Sequence, residues 1–249
     1  IFLKKLLLLI LIISCEKNSQ ETILFQGGIN NINQSTTDSD GDGVPNNIDQ
    51  DNNTREGVEV DDNGVMKNPI FLDENGITIK AKDWSIIGDY GIINEIEYKV
   101  ISEDELRERI LNDEDVTNVC TSKINLFSWL FLDKDQFNQN ISSWDTSNIT
   151  ATNFMFYNAN SFNQDIRYWD TSNITDMNFM FWEASSFNVD IRNWNTSKVT
   201  IMRSMFFNSL SFNKDLSSWD VSNVIDCQLF SEGASKWTSP KPNFINCSP

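Results

Sequence analysis

The chain has 249 residues, with 36 acidic and 19 basic side chains, a formal charge of −17 and no histidine. The acidic balance disfavours binding to nucleic acids or to anionic lipid head groups. The lack of histidine removes the commonest general base and metal ligand, and with it Ser-His-Asp triads and histidine–zinc sites. The composition therefore favours a protein that is not an enzyme.

The N-terminus has the pattern of an export signal. Lys4 and Lys5 precede a run of eight apolar residues, which is too short to span a membrane as a helix. The segment that ends at Cys15 resembles a bacterial lipobox. This resemblance implies that residues 1–15 are a lipoprotein signal peptide and that Cys15 carries the lipid anchor. An ordinary secretory signal with an incidental cysteine is the alternative. Glu16 favours the outer membrane, at the cell surface, over retention in the inner membrane.

Residues 16–37 are rich in Asn, Gln, Ser and Thr and contain few large apolar side chains. Burial cannot then offset the entropy lost on ordering, so this segment is predicted to be a disordered tether. Such a tether would hold the folded part away from the lipid surface.

Residues 38–52 contain an acidic loop, DSDGDGVPNNID, with acids at positions 1, 3, 5 and 12. Ca²⁺ prefers about six to eight oxygen ligands, and this spacing supplies them. The predicted ligands are Asp38, Asp40, Asp42, the Val44 carbonyl, Asn46 and Asp49. The loop resembles a single thrombospondin type 3 repeat, from a family of calcium-binding stalk modules, which implies a structural Ca²⁺ site. A solvated acidic linker is the alternative.

Two segments connect this loop to the C-terminal half. Residues 53–68 are predicted to be a linker. Residues 69–115 show short apolar runs separated by turn residues, which predict small strands. Ser102 followed by Glu105 has the spacing of a capping box and predicts a helix of about ten residues. We expect this small α+β segment to cap the first repeat.

Four segments repeat at a spacing of 25 residues, starting at Phe137, Phe162, Phe187 and Phe212. A fixed period of this size indicates stacked repeats that form a binding surface. The apolar pattern predicts a short strand, a turn and a short helix in each unit, with threonines as helix caps. The predicted fold class is therefore α/β, a leucine-rich-repeat-like solenoid of strand-turn-helix units over residues 116–249.

The repeated motif FNxDIxxWDTSNIT, followed by MNFMFWEAxS, resembles the BspA-like leucine-rich repeats of bacterial surface proteins. That group includes the mycoplasma lipoprotein repeat called DUF285. The resemblance covers residues 116–249. It implies a surface-displayed lipoprotein that binds other proteins and takes part in adhesion.

Three columns of the repeat are expected to be structural. The tryptophan column is predicted to lie in the core and not to form a sugar-stacking ladder. An asparagine column is predicted to satisfy turn carbonyls, and an aspartate column to serve turns and not acid–base catalysis. These columns are Trp144, Trp169, Trp194 and Trp219; Asn138, Asn163, Asn188 and Asn213; and Asp165, Asp190 and Asp215.

Variable columns are the candidates for binding. Arg167, Tyr168, Arg192 and Asn193 form the predicted partner-binding row, because Arg and Tyr are enriched at interface hot spots. A second candidate is the row Tyr157, Trp182 and Phe207. Ordinary surface is the alternative for both rows.

The sequence thus predicts a protein-binding module whose partners are extracellular or surface proteins. The first rival is a carbohydrate-binding surface lipoprotein, for which the second row would supply aromatic rings. The second rival is a hydrolase, for which no nucleophile–base string and no catalytic metal set is present.

Three cysteines remain after the predicted lipid anchor. Cys227 and Cys247 are the simplest disulfide pair, because closing a loop of about 20 residues contributes about 3 kcal/mol in the chain-entropy model. Pairings that use Cys120 stay open, because spacing does not determine connectivity.

Overall fold

The computed structural model describes residues 37–249. The predicted signal peptide, Cys15 and all but the last residue of the predicted tether lie outside the described residues. Within residues 37–249, every helix is too short or too polar to cross a membrane.

The named strands of the described chain all lie in the predicted cap or directly after it. β1 (Ile70–Leu72) pairs with β2 (Ile79–Ala81) in an antiparallel two-stranded sheet. β3 (Tyr90–Ile93) pairs antiparallel with β4 (Ile96–Val100), and β4 pairs in parallel with β5 (Val119–Cys120). The parallel pair joins the cap to the start of the repeats.

The helix of the cap, α1 (Glu103–Leu111), begins where the capping motif predicts. The Ser102 hydroxyl accepts a hydrogen bond from the Glu105 N–H at 3.1 Å. The Glu105 carboxylate accepts hydrogen bonds from Lys99 (2.9 Å) and Arg109 (2.7 Å). Because Lys99 lies on β4, this carboxylate fastens the helix to the sheet.

The repeat region contains no strand-turn-helix units, so the predicted α/β leucine-rich-repeat-like solenoid is wrong. After residue 120 the described chain has neither helix nor strand. It consists of successive turns, with single parallel bridges between one repeat and the next. The bridged residues are Leu126, Ala151, Asp176, Ile201 and Asp226.

Backbone hydrogen bonding explains why the predicted helices do not form. In residues 127–133, where the first of these helices was predicted, every second backbone N–H donates to the next repeat. The Phe131 N–H, for example, donates to the Met155 carbonyl at 2.8 Å. The intervening N–H groups, such as that of Leu130, donate three residues back and close turns. Trp129 (φ 60°) and Asp133 (φ 58°) are left-handed. An α-helix needs every N–H to bond four residues back, so helix formation and bonding between repeats exclude each other.

The threonines predicted as helix caps have another role for the same reason. The Thr175 N–H donates to the Thr150 carbonyl, and the Thr200 N–H donates to the Thr175 carbonyl, both at 2.9 Å. These backbone groups join adjacent repeats, so the predicted capping role is wrong.

The tryptophan column lies in the hydrophobic core, as predicted. Trp144 is fully buried, and Trp169, Trp194 and Trp219 are each 4% exposed. The rings of Trp169 and Trp194 lie 6.4 Å apart, with planes 5° from parallel, and those of Trp194 and Trp219 repeat this geometry. Phenylalanine columns stack in the same way. Parallel stacking at one spacing requires the same large ring at the same place in each repeat.

Each tryptophan also donates a hydrogen bond to the preceding repeat. The indole Nε1 groups contact backbone carbonyls 28 residues earlier, at 3.0 to 3.3 Å. A buried indole N–H without an acceptor would be costly, so this contact allows the ring to be buried.

The asparagine column forms a second ladder between repeats. The Oδ1 atoms of Asn138, Asn163, Asn188 and Asn213 accept the backbone N–H 25 residues later, at 2.9 to 3.0 Å. The predicted structural role is confirmed, but these amide oxygens accept from N–H groups where the sequence predicted contacts with turn carbonyls.

The last repeat is closed by a disulfide between Cys227 and Cys247, whose Cα atoms lie 5.8 Å apart. This is the pair that loop length favours. Cys120 is buried and, within residues 37–249, unpaired. Burial raises the pKa of its thiol and so disfavours the reactive thiolate.

Substituting Trp194→Phe should lower the free energy of unfolding by about 2 kcal/mol, because it removes the bond to the Ile166 carbonyl and leaves a cavity. Trp182→Phe is the matched control. The Trp182 ring is only half-buried, so this substitution should lower the free energy of unfolding by less than about 1 kcal/mol. Urea unfolding measures both. Equal losses would contradict the structural role of the column.

Candidate functional site

The predicted partner-binding row lies at the surface. Arg167, Tyr168, Arg192 and Asn193 are all exposed. The Arg167 guanidinium carbon lies 5.9 Å from the centre of the Tyr168 ring, within cation–π distance. The two arginines occupy the same position in successive repeats, so the structure brings them to equivalent surface positions.

Each arginine is held by the aspartate two residues before it. Arg167 Nε donates to Asp165 at 2.9 Å, and an Arg192 Nη donates to Asp190 at 3.0 Å. These hydrogen bonds raise the pKa of both guanidinium groups. Both arginines keep about half of their side-chain surface exposed, so their remaining donors face solvent.

The aspartate column serves turns, as predicted. The carboxylates of Asp165, Asp190 and Asp215 each accept the backbone N–H two residues later, at 2.9 to 3.2 Å. This is the usual turn-forming contact of aspartate.

The second predicted row, Tyr157, Trp182 and Phe207, lies half-buried at the surface. Its ring centroids lie 5.7 Å and 3.9 Å apart, and the planes are within 10° of parallel. Each ring therefore covers a face of its neighbour, and both faces of Trp182 are occupied. Stacking on a sugar needs a free ring face, so this geometry disfavours the carbohydrate alternative.

A second file of rings beside this row was missed by sequence reasoning. Trp129, Phe154 and Phe179 stack with centroids 6.3 Å and 4.6 Å apart. Phe154 lies 5.7 Å from Tyr157, and Phe179 lies 5.4 Å from Trp182, so the two files touch. The signal that could have revealed this file was the 25-residue spacing of its members.

The acidic loop brings three of its predicted ligands together. Carboxylate oxygens of Asp38, Asp40 and Asp42 lie within 4.8 Å of one another. The Asn46 side chain is used differently: it accepts from the Ser39 N–H at 2.8 Å and donates to the Ser39 hydroxyl at 2.7 Å.

Asp49 lies outside this group of three and is only 9% exposed. Its Oδ1 accepts from the Asp51 N–H at 2.8 Å, but its Oδ2 and the Oδ2 of Asp42 are buried without a hydrogen-bond partner. Both carboxylates lie against Gly64, where an added Cβ would be 2.0 Å from Asp49 Oδ1 and 3.3 Å from Asp42 Oδ2. Buried carboxylate oxygens without partners are costly, and a bound cation would satisfy them. These residues fit a calcium ion.

The predicted linker contacts both the acidic loop and the cap. The Thr54 N–H donates to Asp40 at 2.7 Å, and the Thr54 hydroxyl donates to the Gly64 carbonyl at 2.9 Å. Arg55 donates two hydrogen bonds of 3.0 Å to the Asp89 carboxylate in the cap. The acidic loop is therefore connected to the cap through side-chain contacts.

The electrostatics of the loop favour a cation. A hydrogen bond from the Val44 N–H lowers the pKa of Asp42, but burial and the negative charges of Asp40, Asp49 and Asp38 outweigh it. The net pKa of Asp42 is raised. Loss of solvent around the carboxylate raises this pKa most, and repulsion from the neighbouring carboxylates adds to it. A divalent cation would counter both effects, because it favours the charged form.

Gly64→Ala should destabilise the segment 37–68 by about 2 kcal/mol more than Gly57→Ala. Both glycines have left-handed φ angles (77° and 82°), but a Cβ at position 57 meets nothing within 4 Å. Backbone strain is thus matched, and only the contact with Asp49 differs. Hydrogen exchange of this segment measures the effect. Equal protection in the two variants would contradict the close approach.

Comparison with known proteins identifies the repeat region. The protein is of the tandem-repeat class, in which units of 25 residues form backbone hydrogen bonds with one another. Two overlapping segments, residues 105–209 and 164–245, match a family described as "Mycoplasma protein of unknown function, DUF285". Together they cover more than half of the chain, and the chain belongs to this family. No curated protein and no solved structure matches this chain.

Proposed function

We propose that this protein is a lipid-anchored cell-surface protein that binds other proteins, in adhesion, and that it is not an enzyme. The observation that carries the proposal is the division of side chains within each repeat. The columns that recur unchanged are occupied in packing and hydrogen bonds, whereas the variable residues Arg167, Tyr168, Arg192 and Asn193 are exposed. Arginine and tyrosine at such positions are typical of interface hot spots.

Export and anchoring rest on the N-terminal segment. The lipobox-like sequence supports lipidation at Cys15 and attachment to the outer membrane. The disulfide between Cys227 and Cys247 supports an oxidising, extracytoplasmic environment. The likeness of the repeat motif to BspA-like surface proteins supports a role in adhesion.

Replacing both arginines, Arg167→Ala with Arg192→Ala, should weaken capture of a surface protein about tenfold or more, because it removes two exposed hot-spot donors. The measurement is binding of the full-length protein to an array of purified extracellular and cell-surface proteins.

The matched control removes two other exposed cations, Lys67→Ala with Lys236→Ala, and should leave binding unchanged. If the arginine variant binds as well as the parent, this row is the wrong face. If the parent binds no protein on the array but binds a glycan array, the carbohydrate alternative gains support.

We also propose a structural Ca²⁺ ion in the acidic loop. Asp38, Asp40, Asp42 and Asp49 would hold it, together with the Val44 carbonyl. The resemblance to a thrombospondin type 3 repeat supports this assignment, as do the two buried carboxylate oxygens that lack partners. A bound divalent ion would offset half of the charge of these four carboxylates and stiffen the segment that leads to the cap.

Asp49→Asn should weaken Ca²⁺ binding about tenfold or more, because it replaces a buried charged ligand. Asp62→Asn is the control, since Asp62 is exposed. Isothermal titration calorimetry should give a dissociation constant of about 0.1 to 1 mM for the parent. No calcium uptake by the parent, or equal uptake by Asp49→Asn, would overturn the assignment.

A further inference from the structure

Six aromatic side chains form a continuous cluster on the outside of the repeats, which we name the outer aromatic surface. It consists of Trp129, Phe154, Tyr157, Phe179, Trp182 and Phe207. None of the six belongs to the hydrophobic core or packs against it as a partly buried member. Trp129 is 55% exposed and the other five are half-buried. Contiguous exposed apolar surface of this kind is typical of interaction sites.

One file of rings lies at a column where the fold imposes a left-handed backbone in every repeat, including Ser204 (φ 51°) and Leu229 (φ 57°). Trp129, Phe154 and Phe179 have φ angles of 60°, 57° and 54°. Bulky residues rarely adopt this left-handed conformation, whereas Asn, Asp and Gly adopt it readily. A second column of the repeat is also left-handed, and there the chain has Asp or Asn in most repeats, for example Asp133 and Asn158. Aromatic residues at the first column therefore indicate a function for their rings.

Unpaired carboxylates border this surface. Asp133 and Glu183 each come one residue after a position in the column of Tyr157, Trp182 and Phe207. Glu232 occupies that same column in the last repeat. Asp133 and Glu183 accept only amide hydrogen bonds, at 3.0 and 3.2 Å. Among residues 37–249, none of the three forms an ion pair.

Two of the nearby cations are already neutralised. Arg203 forms an ion pair with Asp226 at 2.9 Å, and Lys134 forms one with Asp113 at 2.7 Å. Lys241 is the exception, because its Nζ donates to the Ser231 hydroxyl beside Glu232 at 2.9 Å and forms no ion pair within residues 37–249. The three carboxylates outnumber this one cation, so the charge that the outer aromatic surface presents to a partner is negative. Charge complementarity then requires a partner that is positive around its apolar contacts.

We propose that the outer aromatic surface docks a protein segment in which apolar side chains are flanked by lysine or arginine. The rings supply the apolar anchor sites, and Asp133, Glu183 and Glu232 pair with the flanking cations. This inference rests on the proposed protein-binding function but assigns it to repeat positions other than the arginine row.

Two synthetic peptides of equal length test the chemistry. They share the same leucine and tryptophan positions, and one carries lysine where the other carries glutamate. Fluorescence anisotropy with the full-length protein should show saturable binding of the lysine peptide that weakens as salt is added. The glutamate peptide should bind about tenfold more weakly or worse. Equal binding of the two peptides, or binding of neither, overturns the proposal.

Substitutions test the location. Phe154→Asn with Phe179→Asn should weaken binding of the lysine peptide about tenfold or more while leaving the melting temperature unchanged or higher, because asparagine tolerates the left-handed backbone. Leu229→Asn is the matched control: it has the same conformation (φ 57°) at the equivalent position of the last repeat and lies outside the ring cluster. It should not change binding.

The remaining outcomes separate this inference from the proposed function. If peptide binding survives the phenylalanine substitutions but is lost in the double arginine variant, the arginine row is the docking site. The assignment to the outer aromatic surface is then overturned, while the proposed protein-binding function stands. If those substitutions instead abolish self-association seen by light scattering, the occupant is a second copy and the inference is overturned. Failure of the parent on the protein array counts against the proposed function, whatever the peptides do.

Discussion

Backbone hydrogen bonds between consecutive repeats are the interaction on which the C-terminal region depends. Phe156 donates to Met180, Phe181 to Met205, and Phe206 to Phe230, all at 2.8 to 2.9 Å. Since these N–H groups are used between repeats, a single repeat cannot satisfy its own backbone. Each unit is therefore ordered only against its neighbour, and the first and last units need the cap and the disulfide-linked tail to complete them.

This bonding determines which side chains vary. Residues 25 positions apart are placed next to one another, so an inward column must hold a residue that packs on copies of itself, as Trp194 does between Trp169 and Trp219. Outward columns have no such restriction. The exposed arginines and the outer aromatic surface both lie on outward columns, and it is there that side-chain chemistry differs from one repeat to the next.

At the N-terminal end of the described chain, electrostatics replace packing as the main constraint. Buried carboxylate oxygens of Asp42 and Asp49 lack partners, while the Arg55–Asp89 contact links this segment to the cap. A second ion pair, Lys82–Glu59 at 2.9 Å, also links this segment to the cap, while the carboxylates of the loop repel one another. A cation in the loop would attract these carboxylates, which is the physical basis for the structural Ca²⁺ ion that we propose.

The amino-acid sequence alone determined the period, the buried columns, the turn role of the aspartates and the start of the helix at Ser102, because these follow from spacing and local side-chain chemistry. It could not reveal the backbone path of the repeats. Apolar residues at helical spacing also arise from successive turns, and only contacts with the next repeat decide where each N–H donates. The pairing of Asn46 with Ser39, the approach of Gly64 to Asp49 and the joining of two ring files into one surface were likewise decided by tertiary structure. Each depends on residues that the chain brings together only when it folds.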